Sequence, residues 1–353
     1  MESTTNGGRG SIVSSSSVRR PSQSPGVAQS TSSSGAADGT RANGLGMKAE
    51  DLSSREAESG RPSGASAPQR WRAGAAEGRG RDHSKEVDLL GNLISVAHAG
   101  GQGKTTLAQL LYIWGKQAGG HFRLAAADFL DESGRSKIGK LYPNKVVEFG
   151  VGANLTAVRS ENNMNASVRY WDELGNLFLT GGYILDVGAN VVKSVFEWAE
   201  DRRLSTVLAR KGAPKFDIFC VCKAEKHATD DIQRLVHMIA QGNAMRPRNV
   251  YVVLNEAAGN FGAMGLQEKL TAANKEVNLI FARLPRCQSE IWAPMERYGV
   301  SVERALDMSE DEIGQALDVD IWTASAGLAE LKNWFDAAQA EFRSVGVFAN
   351  DML

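Results

Sequence analysis

From about residue 89 onward the chain alternates two kinds of apolar pattern. Near-continuous apolar runs of five to seven residues recur at 93–97, 122–127, 145–149, 183–187, 217–222, 249–255 and 277–282. Between them, 105–117, 166–179, 191–208, 229–240 and 261–274 carry apolar residues three and four apart. Val168, Trp171, Leu174, Leu177 and Phe178 are one such set, the spacing of a helix with one buried face. Strands that are apolar on both faces need cover on both. The alternation therefore predicts an α/β fold of three layers, α/β/α, around a mostly parallel central sheet with right-handed crossovers. Ligands in such sheets sit at the carboxyl ends of the strands, so residues that follow a strand matter most. The stretch 308–348 is expected to be helical, and Ser309 with Glu312 forms a capping box. There Leu328, Leu331, Trp334, Phe335, Ala338 and Phe342 make one stripe, and the opposite face mixes Glu330, Lys332, Asp336, Glu341 and Arg343. A helix lying on a membrane surface would need a basic excess on that face, so core packing is predicted.

Residues 1–85 break this pattern. Serine runs at 14–17 and 32–34, with many Gly, Ala, Pro and Arg residues, leave too few side chains for a core, and a disordered tail is expected before a domain at 86–353. Its charges are slightly basic (Arg19, Arg20, Arg70, Arg72, Arg79, Arg81), with Trp71 between two arginines. The tail is either simply solvated or a weak anchor for DNA or an acidic partner. Over 353 residues the formal net charge is −1, which excludes a chain-wide nucleic-acid footprint and leaves only local patches. No run approaches the ~18 apolar residues of a membrane span, and no apolar leader opens the chain. Cys220, Cys222 and Cys287 have neither disulfide nor zinc spacing. A reducing, cytoplasmic setting is the expectation.

Chemistry concentrates after the first strand. Ala99-Gly100-Gly101-Gln102-Gly103-Lys104-Thr105 separates the apolar run 93–97 from the helical run 105–117. Glycines there let successive backbone N–H groups converge on phosphate oxygens, and the helix adds its positive end. Lys104 would reach the β- and γ-phosphates, the Thr105 hydroxyl would hold Mg²⁺, and Thr106 would follow in the first turn. The strict phosphate-loop pattern wants glycine six positions before the lysine, where His98 stands. Asp186 closes the run 183–187 and is placed to orient Mg²⁺, directly or through Thr105. Gly188 next to it would let the backbone approach the γ-phosphate, so 188–190 is expected to act as a switch. Asp128 follows the second strand, with Asp131 nearby.

These residues together resemble the ParA/MinD superfamily of P-loop ATPases, whose deviant Walker A loop reads Lys-Gly-Gly-x-Gly-Lys-Thr. Every position matches except the first, where Ala99 stands. Within that superfamily the stretches 184–190, 254–262 and 303–306 resemble TraL- and StbB-like proteins of conjugative plasmids. The resemblance covers about 89–318. It implies that Asp128 positions the attacking water, that Asn255, ending the strand 249–255, recognises adenine, and that Pro285 packs on the base. It implies ATP and Mg²⁺ as cofactors, a nucleotide-dependent homodimer, and DNA or a conjugation or partition protein as partner. The family's first loop lysine crosses to the partner's phosphates, and Ala99 lacks that charge-assisted contact, worth ~1.5–3 kcal/mol per hydrogen bond. Lys211, Lys223 and Lys226 are alternative cations between which the sequence does not choose. Three functions stay open: an ATP-hydrolysing switch in plasmid transfer, partition or positioning; a nucleotide-binding adaptor with little hydrolysis; and a metabolite kinase or ligase of the dethiobiotin synthetase kind.

Overall fold

The structure, a computed structural model, describes residues 90–150, 171–225, 227–242, 244–261 and 265–348. All of them belong to the unit Gly80–Leu353. The tail expected over 1–85, with Trp71 and its arginines, lies outside the described residues, as do Val168 and Lys226.

The described elements run β1 (Asn92–Val96), α1 (Lys104–Gln117), β2 (Arg123–Ala127), α2 (Lys137–Leu141), β3 (Val146–Glu148), α3 (Asp172–Thr180), β4 (Tyr183–Val187), α4 (Val192–Asp201), α5 (Leu204–Lys211) and β5 (Phe216–Lys223). There follow α6 (Ala228–Gln241), β6 (Val250–Asn255), α7 (Leu266–Ala273), β7 (Leu279–Leu284), α8 (Trp292–Tyr298), α9 (Val302–Asp307), α10 (Glu310–Leu317) and α11 (Ile321–Ser344). The strands form one seven-stranded sheet in the order β3-β2-β4-β1-β5-β6-β7. Every pairing is parallel, as the both-face apolar runs require. β1 is the central strand, so the loop after it emerges mid-sheet.

The layers divide by strand parity. Cys220, Cys222, Val252 and Leu254 pack with α3 to α7 in one apolar cluster. Phe219, Val221, Tyr251, Val253, Ala282 and Leu284 pack on the other face with α1 and α8 to α11. On that second face Phe219 and Tyr251 stack in parallel at 4.5 Å. The α11 stripe is buried as expected, with Trp114 of α1 against Phe342 at 5.1 Å. Among the described residues no helix is long and apolar enough to cross a membrane. Ser309 and Glu312 form both hydrogen bonds of the capping box. Opposite the loop end of the sheet, fully buried Asp217 accepts from Arg248 Nη2 and Nε at 2.6 and 3.2 Å and from Asn249 N–H at 3.0 Å.

Beyond shifts of a few residues at element ends, three differences from expectation have a visible cause. The single helix expected over 191–208 is two, because Arg203 takes a left-handed backbone (φ 50°) between α4 and α5. β7 runs to Leu284, two residues past the expected end, since its register follows β6 out to Asn255↔Leu284. Within 308–348 the helix is interrupted by the left-handed Asp318 between α10 and α11. The short α2, α8 and α9 had no pattern long enough to announce them.

Candidate functional site

The loop between β1 and α1 is fixed at both ends and at its middle. Ser95 Oγ on β1 donates to Lys104 O at 2.9 Å, pinning the first turn of α1 to the central strand. His98 Nδ1 lies 3.5 Å from Asp231 on α6. At the middle, Gln102 is buried, and its Oε1 accepts from Lys223 N–H at 2.7 Å. Its backbone carbonyl accepts from Asn255 Nδ2 at 2.8 Å. Gly101 and Gly103 have φ of 73° and 99°, a region closed to most side chains. A Cβ on Gly103 would also strike the Asn255 amide. Gly100 borders open space, so its backbone is left accessible to a ligand rather than to a neighbour.

Register brings the acids to the loop. Asp186 is the Cα partner of Ser95 on one side and Ala126 on the other, so β4 delivers its carboxylate beneath the loop and Asp128 follows one strand over. Lys104 Nζ sits 3.7 Å from both Asp128 Oδ2 and Asp186 Oδ1. Thr105 Oγ1 donates to Asp186 Oδ2 at 2.7 Å. Burial pushes the Asp186 carboxyl above the usual carboxylate range, with Lys104 and the Thr105 hydroxyl pulling the other way. Gly188 N–H donates to Ala127 O at 2.7 Å, and a Cβ on Gly188 would overlap the Asp128 carboxyl. The glycine is thus needed by a close approach, not by an unusual backbone.

Whether these residues suit Mg²⁺ can be tested on one atom. Asp186 Oδ1 is buried with no hydrogen-bond partner. Thr105 turns its proton toward the other oxygen, which leaves the hydroxyl's lone pairs free. Among the described residues no group of three or more His, Cys, Asp or Glu gathers as for an all-protein metal cage. A hard cation that keeps most of its waters and borrows one hydroxyl and one carboxylate fits this donor set.

Beside the loop lies a cavity of about 540 Å³. Gly101, Gly103, Lys104, Thr105 and Thr106 line it, with Lys137, Lys223 and Arg286 adding positive charge and Glu296 a negative one. Pro285, Trp292 and Trp334 add apolar and aromatic wall. Trp334 Nε1 donates to Pro285 O at 2.7 Å and packs edge-on to Trp292. Cationic and aromatic walls are what a nucleotide presents in mirror. A second cavity of about 380 Å³, walled by α1, α2, α8 and α9, shares Thr105, Thr106, Lys137, Trp292 and Glu296 with the first.

The structure thus brings Gly101, Gln102, Gly103, Lys104, Thr105, Thr106, Asp128, Asp186, Gly188, Asn255 and Pro285 to one edge of the sheet, with Gly100 on the open side of the loop. The Asn255 amide, which the resemblance implied for adenine, makes two backbone contacts in the structure. Both ends of its amide brace the backbone, since its Oδ1 accepts from Ala257 N–H at 3.1 Å while Nδ2 holds the loop. Asp131 closes its own loop, accepting from Ser133 and Arg135 N–H and pairing with Lys140 at 2.7 Å. Sequence reasoning missed Lys137, Arg286 and the two tryptophans. Lys223 had a signal, since it follows an apolar run as Asp186 and Asn255 do.

No protein-family model matches the chain, and no curated protein matches it. Among solved structures, the ATP complex of Cyanothece McdA(D38A) is 12% identical and covers 66% of this chain and 98% of its own, with a TM-score of 0.38. A ParA family ATPase from Chlorobium tepidum is 12% identical over 72% and 98%, at 0.38. The MinD cell division protein of Aquifex aeolicus is 17% identical over 67% and 95%, at 0.36. Likeness at this level transfers no residue role, and the site rests on its own atoms.

Proposed function

We propose that this chain is a Mg²⁺-dependent ATP-binding switch of the ParA/MinD kind that hydrolyses ATP slowly. The observation that carries the reading is Lys104, held at 3.7 Å from Asp128 and Asp186 at the root of a glycine loop whose threonine is bonded to Asp186. Loop amides and the start of α1 bind the phosphates, and Lys104 bridges the β- and γ-oxygens as charge develops on them. Asp128 orients the attacking water. Gly188 follows the γ-phosphate and passes its loss to α4 through the turn at Val191 and Val192. Mg²⁺, held by Thr105 and Asp186, would neutralise charge on the β- and γ-phosphates. The adenine end would pack against Pro285, Trp292 and Trp334.

Plasmid transfer, partition or positioning is the setting this reading suggests. The partners would be a second copy of the chain in the nucleotide-bound state, and DNA or a conjugation or partition protein. A second reading, a nucleotide-binding adaptor with little hydrolysis, is favoured by Ala99 and by the occupied carboxylate of Asp131. One experiment addresses both: calorimetry of ATP with Mg²⁺ or with chelator, and turnover with and without DNA, on the full chain and Lys104→Ala. The switch predicts Mg²⁺-assisted binding and measurable turnover, both lost in Lys104→Ala. Binding without turnover selects the adaptor. Unchanged turnover in Lys104→Ala refutes the phosphate-loop reading.

A further inference from the structure

The geometry points to Lys223 as the second cation on the triphosphate, supplied from within the same chain, where Ala99 leaves the loop without one. The inference rests on the nucleotide reading of this site and adds a specificity-determining residue to it. Its starting point is a charge imbalance. Lys104 faces two carboxylates at equal distance, so the root of the loop is anionic before any phosphate arrives, and a triphosphate needs further positive charge.

Lys223 is placed to give it. It ends β5, and its Cα partner is Asn255, whose own partner across β6 and β7 is Leu284. Side chains alternate along a strand. Phe219 and Val221 face α1 and α11, whereas Cys220 and Cys222 face the opposite layer. Lys223 therefore leaves the sheet on the side of the loop, and it lines the cavity together with Gly101, Gly103 and Lys104. Its backbone is fixed there, because its N–H donates to buried Gln102 at 2.7 Å. The ammonium has no ion pair among the described residues. Lys211, by contrast, ends α5 in the opposite layer. Gln102 couples the two halves of the site: the loop residue that would move with the phosphates is bonded to the residue carrying the cation.

The test is nucleotide affinity of the full chain by calorimetry with Mg²⁺, for ATP, ADP and AMP, in Lys223→Met, Lys223→Arg and Lys104→Ala. Lys223→Met is expected to weaken ATP about 10- to 100-fold, the range of one charge-assisted contact. ADP should weaken less and AMP not at all, with unfolding midpoints unchanged and Lys223→Arg restoring most of the ATP affinity. Undiminished ATP affinity in Lys223→Met, or equal losses for all three nucleotides, overturns the assignment. If Lys223→Met is silent while Lys104→Ala abolishes binding, only the role of Lys223 falls. If the unaltered chain binds no nucleotide, both fall.

Discussion

Replacing Asn255 by alanine separates two roles for one amide. In the structure its Nδ2 donates to Gln102 O at 2.8 Å and its Oδ1 accepts from Ala257 N–H at 3.1 Å. Those two partners fix which end is nitrogen, since one only accepts and the other only donates. Each neutral hydrogen bond contributes about 1 kcal/mol net, and a buried carbonyl left without a donor costs about 1–3 kcal/mol. Asn255→Ala should therefore destabilise the loop and its strand end by about 2–4 kcal/mol. If about 2 kcal/mol of that appears as lost preorganisation, affinity falls ~30-fold. Under the proposed reading the loop would hold phosphates, so ATP, ADP and GTP should all weaken by the same factor. Asn255→Asp should be worse, because a carboxylate oxygen would then face the Gln102 carbonyl. Urea unfolding and calorimetry on the same samples read both quantities. Selective loss of ATP against GTP, at an unchanged unfolding midpoint, would refute the brace and make Asn255 a reader of the base.

Two further changes probe the surroundings. Burial raises the Asp186 carboxyl above its ordinary 3.8. Between that value and the raised one the folded chain holds more protons than the unfolded chain, so this group's stability is greatest at low pH and is lost as pH rises. Asp186→Asn should flatten that decline in a pH series of denaturation midpoints while removing the Mg²⁺ dependence of ATP binding; a decline as steep as the parent's would show that another group causes it. Asp217→Ala removes the acceptor shared by Arg248 and Asn249 N–H and should cost about 1.5–3 kcal/mol in chemical unfolding, with ATP affinity intact under native conditions; a cost under ~1 kcal/mol would mean the bidentate pair adds little.

Much of this architecture was legible because it is local. The strand, loop and helix around Lys104 are contiguous, and Asp128, Asp186, Asn255 and Pro285 were singled out because each follows an apolar run. The Ser309 capping box and the α11 stripe likewise need only neighbours three and four residues away. What escaped depends on pairing between distant segments or on single backbone angles. No periodicity marks the left-handed Arg203 that splits α4 from α5. The extra turn of ladder that carries β7 to Leu284 is set by β6. That the amide of Asn255 braces the loop could not be read from the sequence, because Gln102 lies 153 positions away. Lys223, Lys211 and Lys226 were indistinguishable until register put the first beside the loop.

The central place of β1 also sets when the site comes into being. Its neighbours at Leu93 and Ile94 are Ile184 on β4 and Ile218 on β5, so both flanks close only after about half of the domain has been synthesised. Long-range parallel closures are slow steps. The loop after β1 thus lacks both of its flanking strands in any fragment that ends before β4. Under the proposed reading a bound nucleotide would therefore add its stabilisation only once the three central strands are paired, and earlier intermediates would carry their exposed strand edges without it.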